Sequence, residues 1–155
     1  MPEHDPAVRY EAEDRRSAER ELEFELLLAP RYVVRSPVAV PARLRYLARD
    51  PFAVRLSFHI DTPHPVHWTF ARSLLIDGLF RPSGSGDVRI WPARSDADRA
   101  VVCLSLTAPA GLTMLRAPAL PVSAWLERTL RMVPPGDERM EIPVVPLTSG
   151  PLRAP

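Results

Sequence analysis

The sequence predicts an α+β fold in which antiparallel strands are followed by a helix. Three observations carry that prediction. Apolar and polar residues alternate strictly in several runs between residues 21 and 117, the period of a strand with one wet face. Two longer runs, residues 70–79 and 121–132, switch to helical spacing. Proline, glycine and aspartate punctuate the joins between them. A weak internal echo raises a duplicated strands-then-helix unit: Leu79-Phe80-Arg81-Pro82 leads to Gly86-Asp87-Val88-Arg89, and Leu130-Arg131-Met132-Val133-Pro134-Pro135 leads to Gly136-Asp137-Glu138-Arg139.

Residues 1–20 are rich in Glu, Asp and Arg and almost free of large apolar side chains, so they read as a flexible charged arm. From Glu21 the pattern becomes Glu-Leu-Glu-Phe-Glu-Leu, which sets Leu22, Phe24 and Leu26 on one face and three carboxylates on the other. This is the first strand. Pro30, Pro37 and Pro41 divide the next segment into extended pieces. Residues 42–48 and 52–60 form a hairpin across Arg49-Asp50-Pro51, with Arg43 and Arg45 on one face of its first strand and Arg55 on its second, read as solvated arginines of a wet face, with a small basic patch as the alternative.

Residues 66–69 give a fourth strand, and the helix over 70–79 follows. Its apolar face is Leu74, Leu75, Gly78 and Leu79, with Arg72 and Asp77 expected in water. The run Pro82-Ser83-Gly84-Ser85-Gly86-Asp87 stops the helix and turns the chain into a strand over 88–92. Residues 100–107 and 112–117 read as two more strands. The second helix, 121–132, carries the stripe Trp125, Leu126, Leu130 and Val133 and ends at Pro134-Pro135-Gly136. A last strand near 138–144 is expected, and residues 143–155 read as a loose Pro-rich tail. The folded part is therefore expected to be one domain over 21–142.

Composition narrows the function classes. A chain of 155 residues that is 46% hydrophobic and 25% charged has the make-up of one globular domain, not of a disordered or collagenous chain. Its net charge of +1 provides no general attraction to nucleic acid or anionic lipid. All basic residues are Arg, and Lys, Asn and Gln are missing, a bias of composition with no chemical requirement behind it. The longest uncharged stretch, 100–115, is interrupted by Pro109 and Gly111 and falls short of the roughly 20 residues of a membrane span. The start, Met1-Pro2-Glu3-His4-Asp5, has no apolar h-region, so a cytoplasmic protein is expected.

No catalytic, cofactor or metal site is expected. The lone Cys103 lies among Val101, Val102, Leu104 and Leu106 and reads as a small buried apolar side chain. His59, Asp61, His64 and His67 cluster in sequence, but two prolines separate them and no HExxH helix or Cys pair completes a zinc shell. The glycines of 83–87 run from helix to strand, the reverse of a phosphate-binding loop, and lack its Lys. No G-x-S-x-G signature is present. Exposed Trp and Arg are the side chains that anchor protein interfaces, so Arg81, Asp87, Arg89 and Trp91 around the turn, with Trp68, are the candidate partner or subunit interface.

The run FARSLLIDGLFRPSGSGDVRIWPAR over residues 70–94 carries a resemblance. With Leu44-Arg45-Tyr46, Asp50-Pro51-Phe52-Ala53-Val54 and Val101-Val102-Cys103-Leu104-Ser105-Leu106, it resembles the SsgA-like sporulation and cell division proteins of actinomycetes, most closely their SsgB branch. The resemblance spans roughly residues 21–135. Ser73 stands where the family has an acidic residue, and the arm before Glu21 is longer than the family's.

The resemblance implies a non-enzymatic adaptor without cofactor, which recruits the tubulin-like GTPase FtsZ to future septum sites, promotes ring assembly and is itself placed by an SsgA-like partner. It also implies a cytoplasmic protein drawn to the septum. The family is similar in fold to the trimeric whirly single-strand nucleic-acid binders, which implies a homo-oligomer, a trimer, and supplies the alternative of a single-stranded nucleic-acid-binding regulator. That alternative requires a basic groove with stacking aromatics, which the near-neutral charge disfavours.

Overall fold

The structure is a computed structural model that describes residues 18–29 and 37–139. Among the described residues there are strands β1 (Glu19–Ala29), β2 (Val38–Leu47), β3 (Ala53–Phe58) and β4 (Val66–Ala71), then helix α1 (Arg72–Gly78). Strands β5 (Val88–Arg94), β6 (Ala100–Ala108) and β7 (Gly111–Pro118) follow and lead into helix α2 (Ala119–Met132). The strands join in one curled sheet of order β4-β3-β2-β1-β7-β6-β5, with every pairing antiparallel. The two meanders meet only along the end of β1, where Leu27, Leu28 and Ala29 face Arg116, Leu115 and Met114.

Alternation decides which face is buried. Leu44, Tyr46, Val54, Leu56, Phe70, Ile90, Leu104, Leu106 and Leu115 all point to the inner face and form the core. The two helices close that face. α1 lies on β4 and β5, and α2 lies on β1, β6 and β7 through Val122, Trp125, Leu126 and Thr129.

The outer face of β1 and β2 is a lattice of opposite charges. Register sets Glu23 against Arg43 and Glu21 against Arg45. Arg43 donates to Glu23 at 2.8 Å, and Arg45 pairs with Glu19 and lies 3.6 Å from Glu21. Arg45 holds the Glu19 carboxyl below the usual carboxylate range. Arg55, directly opposite Arg45, turns to Asp50 at 3.6 Å. The three arginines do not make an unneutralised basic patch, because each has an acidic neighbour supplied by β1 or by the hairpin turn.

Several element boundaries differ from expectation for physical reasons. Phe70 belongs to β4, because the ladder with β3 runs through Val54 opposite Phe70 and Ala53 opposite Ala71 and claims both backbones before the helix starts. β3 stops at Phe58 because His59 takes a left-handed φ of 55°. Pro41 sits inside β2, which β3 pairs only from Ala42 onward, so its missing N–H falls where the strand has a neighbour on one side. α2 begins at Ala119, and Pro121 is accommodated in its first turn, where N–H groups have no intrahelical acceptor.

Four strands precede the seven-residue α1 and three precede the fourteen-residue α2, so the structure does not establish a duplicated unit. Glu138 and Arg139 are not in a strand, and the rest of the expected strand at 138–144 lies outside the described residues, as do most of the arm and the tail. Among the described residues no helix is long and apolar enough to cross a membrane.

Candidate functional site

Period two on β5 sends Ile90 inward and Arg89 and Trp91 outward. Cross-strand neighbours carry that outer face onward: Arg89 is opposite Ser105, which is opposite Met114, and Trp91 is opposite Cys103, which is opposite Arg116. The glycine turn folds back beside this face. Ser83 and Ile90 exchange two backbone hydrogen bonds, of 2.8 and 2.9 Å, so the turn is pinned to the free edge of β5. Gly84 holds a φ of 95°, and a Cβ there would run into the carbonyl of Val88, so only glycine makes this approach without strain.

The result is a groove of 360 Å³ between the wall Pro82, Ser83 and Gly84 and the sheet residues Arg89, Trp91, Ser105 and Met114. It offers an exposed guanidinium, a half-buried indole and a thioether around a hydroxyl.

The sequence-predicted site residues divide into three groups. Arg89 and Trp91 come together in the groove. Arg81 and Asp87 lie at either end of the turn and are exposed; Arg81 reaches Asp77 at 3.4 Å, and the Asp87 carbonyl accepts the Thr107 N–H at 2.8 Å. Trp68 is elsewhere. It stands on the inner face of β4, opposite Leu56, half-buried against the core.

No acid–base or nucleophilic chemistry converges here. Burial pushes the Cys103 thiol up, with Arg116 only partly offsetting it, so the thiol stays protonated near neutral pH. Among the described residues no three His, Cys, Asp or Glu side chains gather to hold a metal, and the His67 ring instead shares a 2.7 Å hydrogen bond with Ser57.

Sequence reasoning missed Arg72, which it left in water. The side chain is 1% exposed. Its Nη1 donates to the Thr129 carbonyl at 3.0 Å, its Nη2 meets Glu138 at 2.8 Å, and its guanidinium lies 4.8 Å from the centre of the Tyr46 ring. Its backbone N–H donates to Phe52 O at 2.7 Å. One residue thus ties the β2–β3 hairpin, α1, the last turn of α2 and the segment after it. The Thr129 carbonyl already accepts the Val133 N–H at 3.0 Å, so the guanidinium is its second donor, placed at the last turn of α2 where the negative end of the helix dipole favours a cation. The signal was present: Arg72 is three residues before Leu75 and seven before Leu79, on the same helical stripe.

Comparison with known proteins now adds to the geometry. Residues 40–138 match the family described as Streptomyces sporulation and cell division protein, SsgA. The sporulation-specific cell division protein SsgB of Streptomyces coelicolor is 50% identical over 103 residues, covering 66% of this chain and 74% of its own. The SsgB of Thermobifida fusca is 44% identical over 104 residues, covering 67% and 75%. A solved structure of SsgB from Streptomyces coelicolor superposes with a TM-score of 0.73 at 44% identity, covering 79% of this chain and 94% of that one. The crystal structure of an SsgA-like sporulation-specific cell division protein from Thermobifida fusca gives 0.72 at 40% identity, covering 79% and 88%. Sequence and fold agree, and the chain belongs to the SsgA family of sporulation and cell division proteins.

Proposed function

We propose that this chain is a non-enzymatic adaptor of sporulation-specific cell division, which recruits FtsZ to future septum sites and promotes Z-ring assembly. The observation that carries the reading is the 50% identity to the SsgB of Streptomyces coelicolor across most of the folded part. The groove beside β5 is the surface we assign to the partner, because Trp91 and Arg89 are the side-chain types that anchor protein interfaces. In this reading the protein works in the cytoplasm, an SsgA-like partner places it, and FtsZ draws it to the septum. A homo-oligomer, a trimer, presents the groove several times to a filament of repeating subunits and gains avidity without new contacts.

The rival reading, a single-stranded nucleic-acid-binding regulator, has less support from the hairpin, whose arginines are ion-paired. The test is to pellet FtsZ polymers with the chain, alongside a salt titration of single-strand oligonucleotide binding and a solution mass for the oligomer. Co-pelleting is the expected result. A chain that stays in the supernatant, or one that binds oligonucleotide with a steep salt dependence and ignores FtsZ, contradicts the proposal.

A further inference from the structure

The Arg72 network and the groove beside β5 are joined by one short helix. α1 has seven residues, a rod of about 10 Å. Its first residue is Arg72, and its exit leads through Leu79, Phe80 and Arg81 into the groove wall Pro82, Ser83 and Gly84. The helix also touches that wall directly. Leu74 Cδ1 lies 3.1 Å from the position a Cβ on Gly84 would take, and Gly78 backs onto Ile90, the residue that pairs with Ser83.

The start of α1 is anchored from outside the helix. Among the described residues Glu138 is the only carboxylate paired with Arg72. A turn presents it: in Pro134-Pro135-Gly136-Asp137 the Asp137 N–H donates to the Pro134 carbonyl at 3.0 Å and Gly136 takes a φ of 92°, the arrangement of a type II turn. The Gly136 N–H then donates to one oxygen of the Glu138 carboxylate at 2.7 Å, and Arg72 Nη2 donates to the other at 2.8 Å. The Arg72 side chain is 1% exposed and that of Glu138 17%, so Glu138 is the water-facing half of the pair.

We infer that Glu138 is a latch that sets the shape of the β5 groove. Docked on Arg72, it fixes the first turn of α1 and, through Leu74 and Gly84, the groove wall. Undocked, it leaves a desolvated guanidinium without a counter-charge, which the first turn of α1 relieves by tilting toward water. The wall then loosens from β5. The seat on Arg72 is a carboxylate site, an oriented charged donor to which an acid from solution can bind once the glutamate is removed. This is a regulation of the groove assigned above to the partner, and its consequence for partner binding rests on that assignment.

Amide and Trp91 indole NMR signals of the full chain, of Glu138→Ala and of Val40→Ala, with amide hydrogen exchange alongside, test the latch near neutral pH. Val40 is a buried core residue at the far end of β2 from Tyr46, so its truncation lowers stability without touching Arg72. Glu138→Ala should speed exchange of the Ser83 and Ile90 amides roughly tenfold or more and shift the signals of Gly84 and the Trp91 indole. Sodium acetate, compared with sodium chloride at equal ionic strength, should return those signals toward the parent's. Changes confined to Arg72 and the last turn of α2 overturn the inference. So does an equal response of the wall in Val40→Ala, which makes the effect one of global stability, or a response that acetate does not reverse. None of these readouts contains FtsZ, so they decide the latch whether or not FtsZ binds; FtsZ that ignores the parent chain contradicts the proposed function and leaves the latch standing.

Discussion

At Arg72 a full positive charge sits 1% exposed, held by one carboxylate, one helix-terminal carbonyl and one aromatic face. Breaking a buried pair by removing one partner leaves the remaining groups desolvated and unmatched, so Arg72→Met should lower unfolding stability by about 3 kcal/mol in denaturant titration. Glu138→Gln should cost less, since it keeps an acceptor. The Arg72 hydrogen bond holds the Glu138 carboxyl below the usual range, helped by the Gly136 N–H at 2.7 Å. A depressed carboxylate stabilises the fold above its unfolded pKa, near 4.3, and that contribution is lost as pH falls through the lower folded value. Acid unfolding curves should therefore be shallower below about pH 4.3 for Glu138→Gln than for the parent.

Tyr46 titrates at the other end of the scale. Burial pushes its phenol up to about 12, against the lowering effect of Arg72. The folded state then favours the neutral phenol, and that stability is present below the ordinary value near 10 and is lost as pH rises through the folded one. A late phase in the tyrosinate absorbance, missing in Tyr46→Phe, is the expected signature. The same substitution removes the 3.0 Å bond to the Pro51 carbonyl and should cost about 1 kcal/mol.

Among the elements, the strands were the most legible, because one wet face and one dry face impose period two directly on the sequence. The β4–α1 boundary was not. Phe70 fits a helical stripe as well as it fits a strand, and only the β3 ladder, which forms between distant residues, decides for the strand. Pairing of Glu21 and Glu23 with the hairpin arginines was equally hidden, since register is a property of two strands together. Gly78 shows the same dependence on tertiary context. In an isolated helix Gly→Ala gains up to about 1 kcal/mol, but here a Cβ would strike the side chain of Ile90 on β5. Gly78→Ala should therefore destabilise the protein by roughly 1 to 3 kcal/mol in thermal or denaturant unfolding.

For the whole molecule, the sheet separates its tasks by face. The inner face carries the core and both helices, the outer face over β1 to β3 is neutralised by ion pairs, and the outer face at β5 presents the groove. Of the candidate site, Arg89 and Trp91 could be placed together from strand period alone, whereas Trp68 could not be excluded without knowing which face of β4 turns inward.

The proposed FtsZ contact at the β5 groove ties these scales together. Its most direct test is a titration of FtsZ with the parent chain, with Trp91→Ala and with Leu120→Ala, an exposed residue at the start of α2, each first shown to be folded. Trp91→Ala should weaken binding about tenfold or more, equivalent to at least about 1.4 kcal/mol, and Leu120→Ala should leave it unchanged. Equal affinity of the parent and Trp91→Ala would contradict the account.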